Sequence, residues 1–456
     1  MVTRLSGRKV LVMGFARQGQ SLARWLPTQG ARVTVNDAKT QEQLQVNLSE
    51  YGEVRFVLGG HPLDLLDVTD LICVSGGVPL TLPFLEVAQN MRIPLTNDAQ
   101  LFMERVSAPV IGITGSAGKT TTTTLVGEML KKVGIPTHVG GNIGYVLLDE
   151  LPSIQPSDWV VMELSSFQLE LMTTSPHIAA ILNVTPNHLD RHGTMEAYTH
   201  AKSQIIAHQR AGDVAVLSYD DFGANALHER VQGELVWFSL DSMVSDGAFL
   251  MGERLMLVGR ANSHGGANVI CERGDILLRG DHNVRNVLAA CAIAGSAGVS
   301  VEVMYETIRH FNGVAHRQEW VRTHNGVMWV NDSIATAPER VLAALKSYHE
   351  PVILLLGGAD KKLPWQTMLQ LAYEKSRHII AFGGSAGDIV VQTLTEMGYP
   401  HHVTRVSTLP EAVDVAHQIA QAGDVVLLSP GGTSYDAYPD FTVRGQHFRE
   451  LVAALL

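Results

Sequence analysis

GITGSAGKTTTTTL, residues 112–125, follows an apolar run, precedes an amphipathic one, and ends its glycines in Gly-Lys-Thr. Strand, glycine-rich turn and helix in that order aim successive backbone N–H groups and a helix N-terminus at phosphate oxygens. Gly115, Ser116, Ala117, Gly118 and Thr121 form the cradle, Lys119 adds charge on the outer phosphates, and Thr120 offers a hydroxyl to Mg2+. Strict Walker spacing places a glycine six residues before the lysine. Here that residue is Ile113, and Gly112 comes one position early. The stretch predicts a variant phosphate loop; its competing reading is a strand-to-helix turn with an incidental lysine.

Outward from this loop, short β-branched runs alternate with helical patterns: residues 9–14, 31–37, 71–77, 109–115, 159–166 and 178–185, and again 351–358, 378–384 and 424–432. Continuous apolar runs of this kind are buried parallel strands, so the class is α/β. A chain of 456 residues exceeds the roughly 250–300 at which one core stops growing. The rhythm predicts three domains, residues 1–98, 99–313 and 314–456. A net charge of −11 without runs of like charge argues against a protein that grips nucleic acid or anionic membrane through a basic face. Cys73, Cys271 and Cys291 lie far apart without a Cys-x-x-Cys pair, which suits buried thiols in a reducing compartment. The N-terminal apolar stretch is too short for a signal peptide and no segment is long enough to span a membrane, so a cytoplasmic protein is expected.

Further motifs carry chemistry. MELSSFQLE (162–170) puts Glu163 near the end of an apolar strand, where α/β sheets bind ligands and a carboxylate can share a Mg2+ with Thr120. NVTPNHLDRHGTMEAYTHAK (183–202) sets His188, Asp190, Arg191 and His192 together after another strand, with Lys202 in the helix beyond. His188 suits a metal or a polarised substrate, or is simply a loop residue. Asn283 and Asn286 in GDHNVRNVLAA (280–290) share a helix face, where amides can read an adenine; capping by Asp281 or Asn283 is the alternative. Arg317 suits a phosphate or carboxylate, and Asp332 a ribose hydroxyl or a turn. GFARQGQS (14–21), with Gly14, Gly19 and then Asp37 at the end of the next strand, is half a dinucleotide fingerprint and favours a diphosphate ligand.

In order, the phosphate loop, GGNIG (140–144), ELSSFQLE, NVTPNHLDRH, HNVRN, HR (316–317), NDS (331–333) and RGQHFREL (444–451) resemble the Mur ligases, and among them the D-glutamate-adding branch, across nearly the whole chain. The resemblance implies an N-terminal Rossmann-like domain holding a UDP-sugar, a central phosphate-loop ATPase domain, and a C-terminal Rossmann-like domain bringing the amino acid. It implies ATP-dependent joining of D-glutamate to UDP-N-acetylmuramoyl-L-alanine through an acyl phosphate, by a cytoplasmic monomer of peptidoglycan precursor synthesis. Lys119, His188 and Lys202 are then catalytic, with two Mg2+ ions served by Thr120, Glu163, His188 and Lys202, the last as a carbamate. Asn283, Asn286, Arg317 and Asp332 go to ATP; Gly14, Ala16, Arg17, Gln18, Gly19, Asp37, Lys39, Gly76, Asn142, Ser165 and Gln168 go to the UDP-sugar side; Thr336, Lys361, Ser434 and Phe441 go to the amino acid. Lys361 is chosen over Lys362 by spacing.

The sequence also departs from that pattern. Ala117 stands where the family has Asn, Ile334 where the D-glutamate branch often has Lys, Gly76 where Pro is usual, and SPGGTSYD (429–436) replaces the usual run. The alternatives are a sister ligase adding L-glutamate or another amino acid and, from another class, a nucleotide switch or motor.

Overall fold

The computed structural model describes residues 3–44, 46–262, 265–399 and 402–456, with Asp190 described by its backbone alone. The chain forms two compact units, Met1–Leu277 with Asp281–Phe311, and Leu278–Gly280 with Asn312–Leu456. The first unit holds two sheets and the second holds one.

The N-terminal sheet is parallel, in the order Arg55–Leu58, Arg32–Asp37, Lys9–Met13, Leu71–Val74, Leu95–Thr96. Its order reverses at Lys9–Met13, the first strand, and helix Arg17–Thr28 begins just beyond that strand. In α/β sheets such a reversal opens a ligand crevice at the strands' carboxyl ends. Gly14 turns the chain with φ +86°, and a Cβ on Gly19 would stand 1.9 Å from the Gly14 carbonyl oxygen. Both glycines are thus required by the strand-to-helix turn itself.

The middle sheet runs Ala267–Glu272, Arg254–Val258, Gly247–Met251, Glu234–Ser239, Val214–Ser218, Ile178–Ile181, Val110–Thr114, Trp159–Glu163, Thr137–Gly141. Val110–Thr114 is buried at every position because parallel neighbours flank it on both sides. Gly112 belongs to this strand: a Cβ there would meet Pro176 Cγ at 2.3 Å. It is a packing glycine, which accounts for its place one residue off the Walker spacing. The strands at the far end, Gly247–Met251, Arg254–Val258 and Ala267–Glu272, pair antiparallel, an extension that the parallel rhythm of the sequence did not announce.

A single apolar cluster runs through both sheets of this unit, from Val10 and Val12 through Ala99, Leu101 and Phe102 to Val110 and Val160. Residues 98–103, expected as a domain boundary, form the helix Asp98–Met103 with every residue buried. The boundary is therefore part of the packing. Cys73, Cys271 and Cys291 are free and buried, as expected.

The second unit's sheet is ordered Glu319–His324, Val327–Asn331, Val425–Gly431, Val352–Gly357, Ser376–Phe382, Val403–Arg405. Asn325 and Gly326, both at positive φ, make the tight turn that joins its one antiparallel pair. The remaining pairs are parallel. No helix among the described residues is long and apolar enough to cross a membrane.

Gly247 lies in the middle sheet at φ +133°, and a Cβ there would sit 1.7 Å from the Trp237 carbonyl oxygen. Gly247→Ala is expected to lower stability by about 2 kcal/mol or more, from overpacking and backbone strain together. Gly252→Ala, at φ +62° with nothing within 4 Å, is the control and meets backbone strain alone. Urea midpoints of the two variants, compared with the parent, decide whether the close approach is as costly as the geometry requires.

Candidate active site

The phosphate loop joins strand Val110–Thr114 to helix Lys119–Val133. Gly118 caps the helix in the left-handed region at φ +83°, and a Cβ on it would fall 2.2 Å from Asn286 Oδ1, so only glycine fits. Helix Asp281–Ser296 packs on the phosphate-loop helix, bringing Asn286 to the loop; Asn286 Nδ2 donates to Asn283 Oδ1 at 3.1 Å. The helix ends at Gly134 in the left-handed region with Lys131 and Lys132 in its last turn, where cations suit the helix dipole.

Lys119 Nζ donates to the Gly115 carbonyl at 2.7 Å, curling back over its own loop. Ala117, where an amide side chain was expected, is bracketed by Asn183: its N–H donates to Asn183 Oδ1 at 2.8 Å, and Asn183 Nδ2 donates to its carbonyl at 3.1 Å. An amide therefore stands at the loop after all, supplied from the neighbouring strand's end. Ser116 Oγ also meets the Tyr198 hydroxyl at 3.0 Å.

Glu163 is the last residue of strand Trp159–Glu163 and is 1% exposed. Thr120 Oγ1 donates to its Oε2 at 2.9 Å and Asn142 Nδ2 to its Oε1 at 2.8 Å, so both carboxylate oxygens are engaged. Lys202, 1% exposed on helix Met195–Ala207, lies with Nζ 3.4 Å from Thr114 Oγ1 and 4.7 Å from the centre of the Tyr198 ring. Burial first, then the nearby charge of Lys119, brings the Lys202 amine down to about 6, against an opposing pull from Glu163. At neutral pH this lysine is largely uncharged. His188 is exposed at φ +52°, its ring 5.2 Å from that of Phe167. The side chain of Asp190 lies outside the described residues.

Mg2+ takes oxygen ligands and keeps several waters, so one or two carboxylates beside a phosphate chain suffice to hold it. Among the described residues no three His, Cys, Asp or Glu side chains gather as a cage. Glu163 with Thr120 fits the smaller requirement, whereas an amine at Lys202 does not: it offers nitrogen where oxygen is needed.

Beside the loop lies a cavity of about 350 Å3, lined by Ala117, Gly118, Leu182 and Asn183 on one side and Phe238, Asp220, His282, Arg285 and Asn286 on the other. Thr185, Ser218, Asp221 and Asp241 complete the lining, so Leu182 and Phe238 supply apolar surface among mostly polar side chains. Asn183, Tyr198, Phe238 and His282 were not singled out in the sequence. Ser116 and Tyr198 are 82 positions apart, and no local pattern signals such a contact.

In the N-terminal sheet, Asp37 accepts the N–H of Phe15 at 2.7 Å and of Lys39 at 2.8 Å, and Gln18 Oε1 accepts the N–H of Gly76 at 3.0 Å. Ala16 is the N-cap residue of the helix that follows. Arg17 donates to the carbonyls of Gly144 at 2.7 Å and Asn142 at 2.9 Å, joining this turn to the GGNIG loop. Ser165 and Gln168 form a reciprocal capping box on helix Ser166–Leu169, and Gln168 reaches Asp98 at 3.5 Å. Burial drives the Asp98 carboxyl up to about 6, and one of its oxygens has no hydrogen-bond partner.

In the second unit Lys361 Nζ donates to Thr336 Oγ1 at 3.0 Å, so the lysine selected by spacing meets another candidate residue. Asp332 is buried, accepting Ser429 Oγ at 2.8 Å and the Gln318 N–H at 3.1 Å; burial pushes it up to about 7. Ser333 Oγ donates to the Phe441 carbonyl at 2.8 Å. Arg444, 1% exposed, donates to Ser333 and to the carbonyls of Gly432 and Thr433, which fixes the segment leading into Ser434. Arg317 occupies the turn between His316 and Gln318, both at positive φ.

Three family models match: the Mur ligase MurD-like N-terminal domain at residues 8–97, the Mur ligase middle domain at 113–294, and the Mur ligase glutamate ligase domain at 316–432. A UDP-N-acetylmuramoylalanine--D-glutamate ligase of Pelotomaculum thermopropionicum is 38% identical, covering 100% of this chain and 99% of its own. One of Symbiobacterium thermophilum is 40% identical, with 98% of each covered. Among solved structures, UDP-N-acetylmuramate-alanine ligase MurC of Thermotoga maritima superposes with a TM-score of 0.56 at 20% identity, over 98% of this chain and 99% of that one. MurF of Acinetobacter baumannii does so at 0.54 and 18%, over 99% and 91%. With its three domains matched and its full length shared with such relatives, the chain belongs to the Mur ligase family.

Proposed function

We propose that this chain is an ATP-dependent ligase that joins the amine of D-glutamate to the terminal carboxylate of UDP-N-acetylmuramoyl-L-alanine, forming ADP and phosphate. The observation that carries this reading is the buried Thr120–Glu163 pair, near a buried Lys202 whose amine burial holds below its ordinary basicity, in a chain matched end to end by D-glutamate ligases. It works as a cytoplasmic monomer of three domains, residues 1–98, 99–313 and 314–456.

A carboxylate resists attack by an amine until one oxygen becomes part of a good leaving group. In the proposed reaction the acceptor's carboxylate oxygen attacks the γ-phosphorus, ADP departs, and the amine then attacks the acyl carbon and expels phosphate. The chain's part is positioning and charge neutralisation, the main needs of phosphoryl transfer. Backbone N–H groups of Gly118 and of the first turn of the helix it caps hold the phosphates, with Lys119 turned from its own loop carbonyls onto them. Asn286, Asn283 and the cavity beside Gly118 take the nucleoside; Arg317 and Asp332 are the second unit's candidates for the nucleotide.

Glu163 and Thr120 would hold Mg2+, with a second ion served by His188 and Lys202; the ions supply positive charge against the triphosphate. For Lys202 to join that set its nitrogen must be converted to an oxygen donor. The neutral Nζ adds to the carbon of CO2 and releases one proton, leaving a carbamate. Burial supports this, because only the unprotonated amine is a nucleophile. On the substrate side, the turn from Gly14 to Gly19 with Asp37, Lys39 and Gly76 takes the UDP-sugar. Asn142, Ser165 and Gln168 face its peptide end, and Thr336, Lys361, Ser434 and Phe441 take the amino acid.

With Mg-ATP and UDP-N-acetylmuramoyl-L-alanine, purified protein is expected to release ADP and form a glutamyl adduct, read by mass, only when D-glutamate is added. Adduct formation with another amino acid instead would move the chain to a different branch, and ADP release without acceptor or adduct would make it a switch or motor. Lys119→Ala should lose turnover by 100-fold or more, given charge-assisted contacts each worth about 1.5–3 kcal/mol, while calorimetric binding of the UDP-sugar persists. Lys202→Ala should be nearly inactive and partly rescued by small carboxylates. In the parent protein, 13C-bicarbonate labelling of Lys202 should fade as pH falls through about 6, where the amine takes up a proton; full activity of the alanine variant would remove the carbamate role.

A further inference from the structure

The start of helix Pro338–Leu345 breaks a local rule. Arg340 sits at its third position, where the partial positive charge of the helix end disfavours a cation. No carboxylate forms an ion pair with Arg340 among the described residues: its one described hydrogen bond, at 3.4 Å, is from Nη1 to the carbonyl of Ile334, and the acid whose charge it meets is the buried Asp332. Lys361 reaches the same short loop from another strand's end, donating to Thr336 Oγ1 at 3.0 Å. Thr336 itself is tied to Ile334 by a backbone hydrogen bond of 2.8 Å, so the two cations converge on three consecutive loop residues. Among the described residues neither has a carboxylate oxygen within 4 Å.

The surroundings sharpen the imbalance. Arg444, buried behind the same loop through Ser333, donates to neutral acceptors, namely carbonyl oxygens and a hydroxyl. Asp332 is the acid on this loop, and its oxygens already accept Ser429 Oγ and the Gln318 N–H. Burial pushes that carboxyl up to about 7 against its hydrogen bonds and the charges of Arg317 and Arg340, and burial first, then the charges of Arg340 and Arg444, hold the Lys361 amine below its ordinary value. Side chains that break a local rule without compensation inside the fold point to function. What would compensate this cluster is an anion, and a guanidinium presents a planar fork matched to a carboxylate.

We propose that Arg340 is a specificity-determining residue of the amino-acid site, its guanidinium binding the side-chain carboxylate of the incoming amino acid while Lys361 binds the α-carboxylate. The pair thereby selects a dicarboxylic amino acid, with Arg340 supplying the charge that Ile334 lacks. This rests on the reading of Thr336, Lys361, Ser434 and Phe441 as the amino-acid site.

The test compares Arg340→Ala, Arg340→Lys and Lys361→Ala with the parent, measuring kcat and KM separately for D-glutamate, ATP and the UDP-sugar, and kcat/KM for D-glutamine. Arg340 is exposed, so its variants should keep the parent's melting temperature. Loss of a charge-assisted contact predicts a KM for D-glutamate about 10- to 100-fold higher in Arg340→Ala. The KM values for ATP and UDP-sugar should stay within about twofold, the preference for D-glutamate over D-glutamine should shrink by a similar factor to the rise in KM, and Arg340→Lys should recover part of it. If Arg340→Ala leaves the D-glutamate KM and that preference unchanged while Lys361→Ala raises the KM, the role of Arg340 is overturned and the site stands. If neither variant changes it, the assignment of the site fails and the inference with it.

Discussion

Much of the first unit is organised by the buried carboxylate of Glu163. A charge at 1% exposure is tolerable only when its oxygens are supplied with donors, and removing a donor leaves the desolvation penalty in place. The two donors come from different places: Thr120 from the first turn of the phosphate-loop helix and Asn142 from the loop after strand Thr137–Gly141. The main chain of Asn142 is in turn held by Arg17, at the start of the N-terminal sheet's first helix. Satisfying one acid thus fixes the phosphate loop, the GGNIG loop and the turn after the first strand of the N-terminal sheet relative to one another. The shared apolar cluster through Leu101 and Phe102 keeps that arrangement rigid.

Lys202 poses the opposite problem. It has been taken out of water without a full counter-ion, with Thr114 Oγ1 and the Tyr198 ring for company and Lys119 adding repulsion. A fold that keeps a lysine there holds it neutral, and a neutral buried amine is suited to chemical conversion rather than to a salt bridge. The same low-polarity surroundings that depress its basicity would also disfavour an anion made from it until a cation binds beside it. Glu163 and Lys202 read together as a site that becomes complete only when further groups bind.

The second unit handles charge differently. Arg444 carries its cation into the interior and spends its N–H groups on main-chain carbonyls of residues 432 and 433 and on Ser333, so that two loops distant in sequence are clamped by one side chain. Arg340 and Lys361 lie outside that clamp, on the loop it steadies. Neither has an ion pair among the described residues, and cations held by neutral acceptors on a clamped loop need little further ordering to meet a small anion.

Sequence by itself determined the α/β class, the nine runs read as strands, the phosphate loop and the family, because continuous β-branched runs and a glycine turn before a helix are local patterns with local causes. It also brought forward Glu163 by its position at a strand's end, and Lys202 through the family resemblance of the segment that ends in it. The antiparallel end of the middle sheet was not legible, since its short strands lie close together without the helices that give the parallel rhythm. Nor was the use of Gly112: that it faces Pro176 rather than a phosphate depends on a residue 64 positions away, in a different segment of the chain. Asn183 bracketing Ala117, Asn286 pressed on Gly118 and Arg340 turned back over Ile334 were likewise decided by tertiary structure alone. Hydrogen bonds and burial depend on which side chains share a volume, and that follows from how sheets and helices pack rather than from any spacing along the chain.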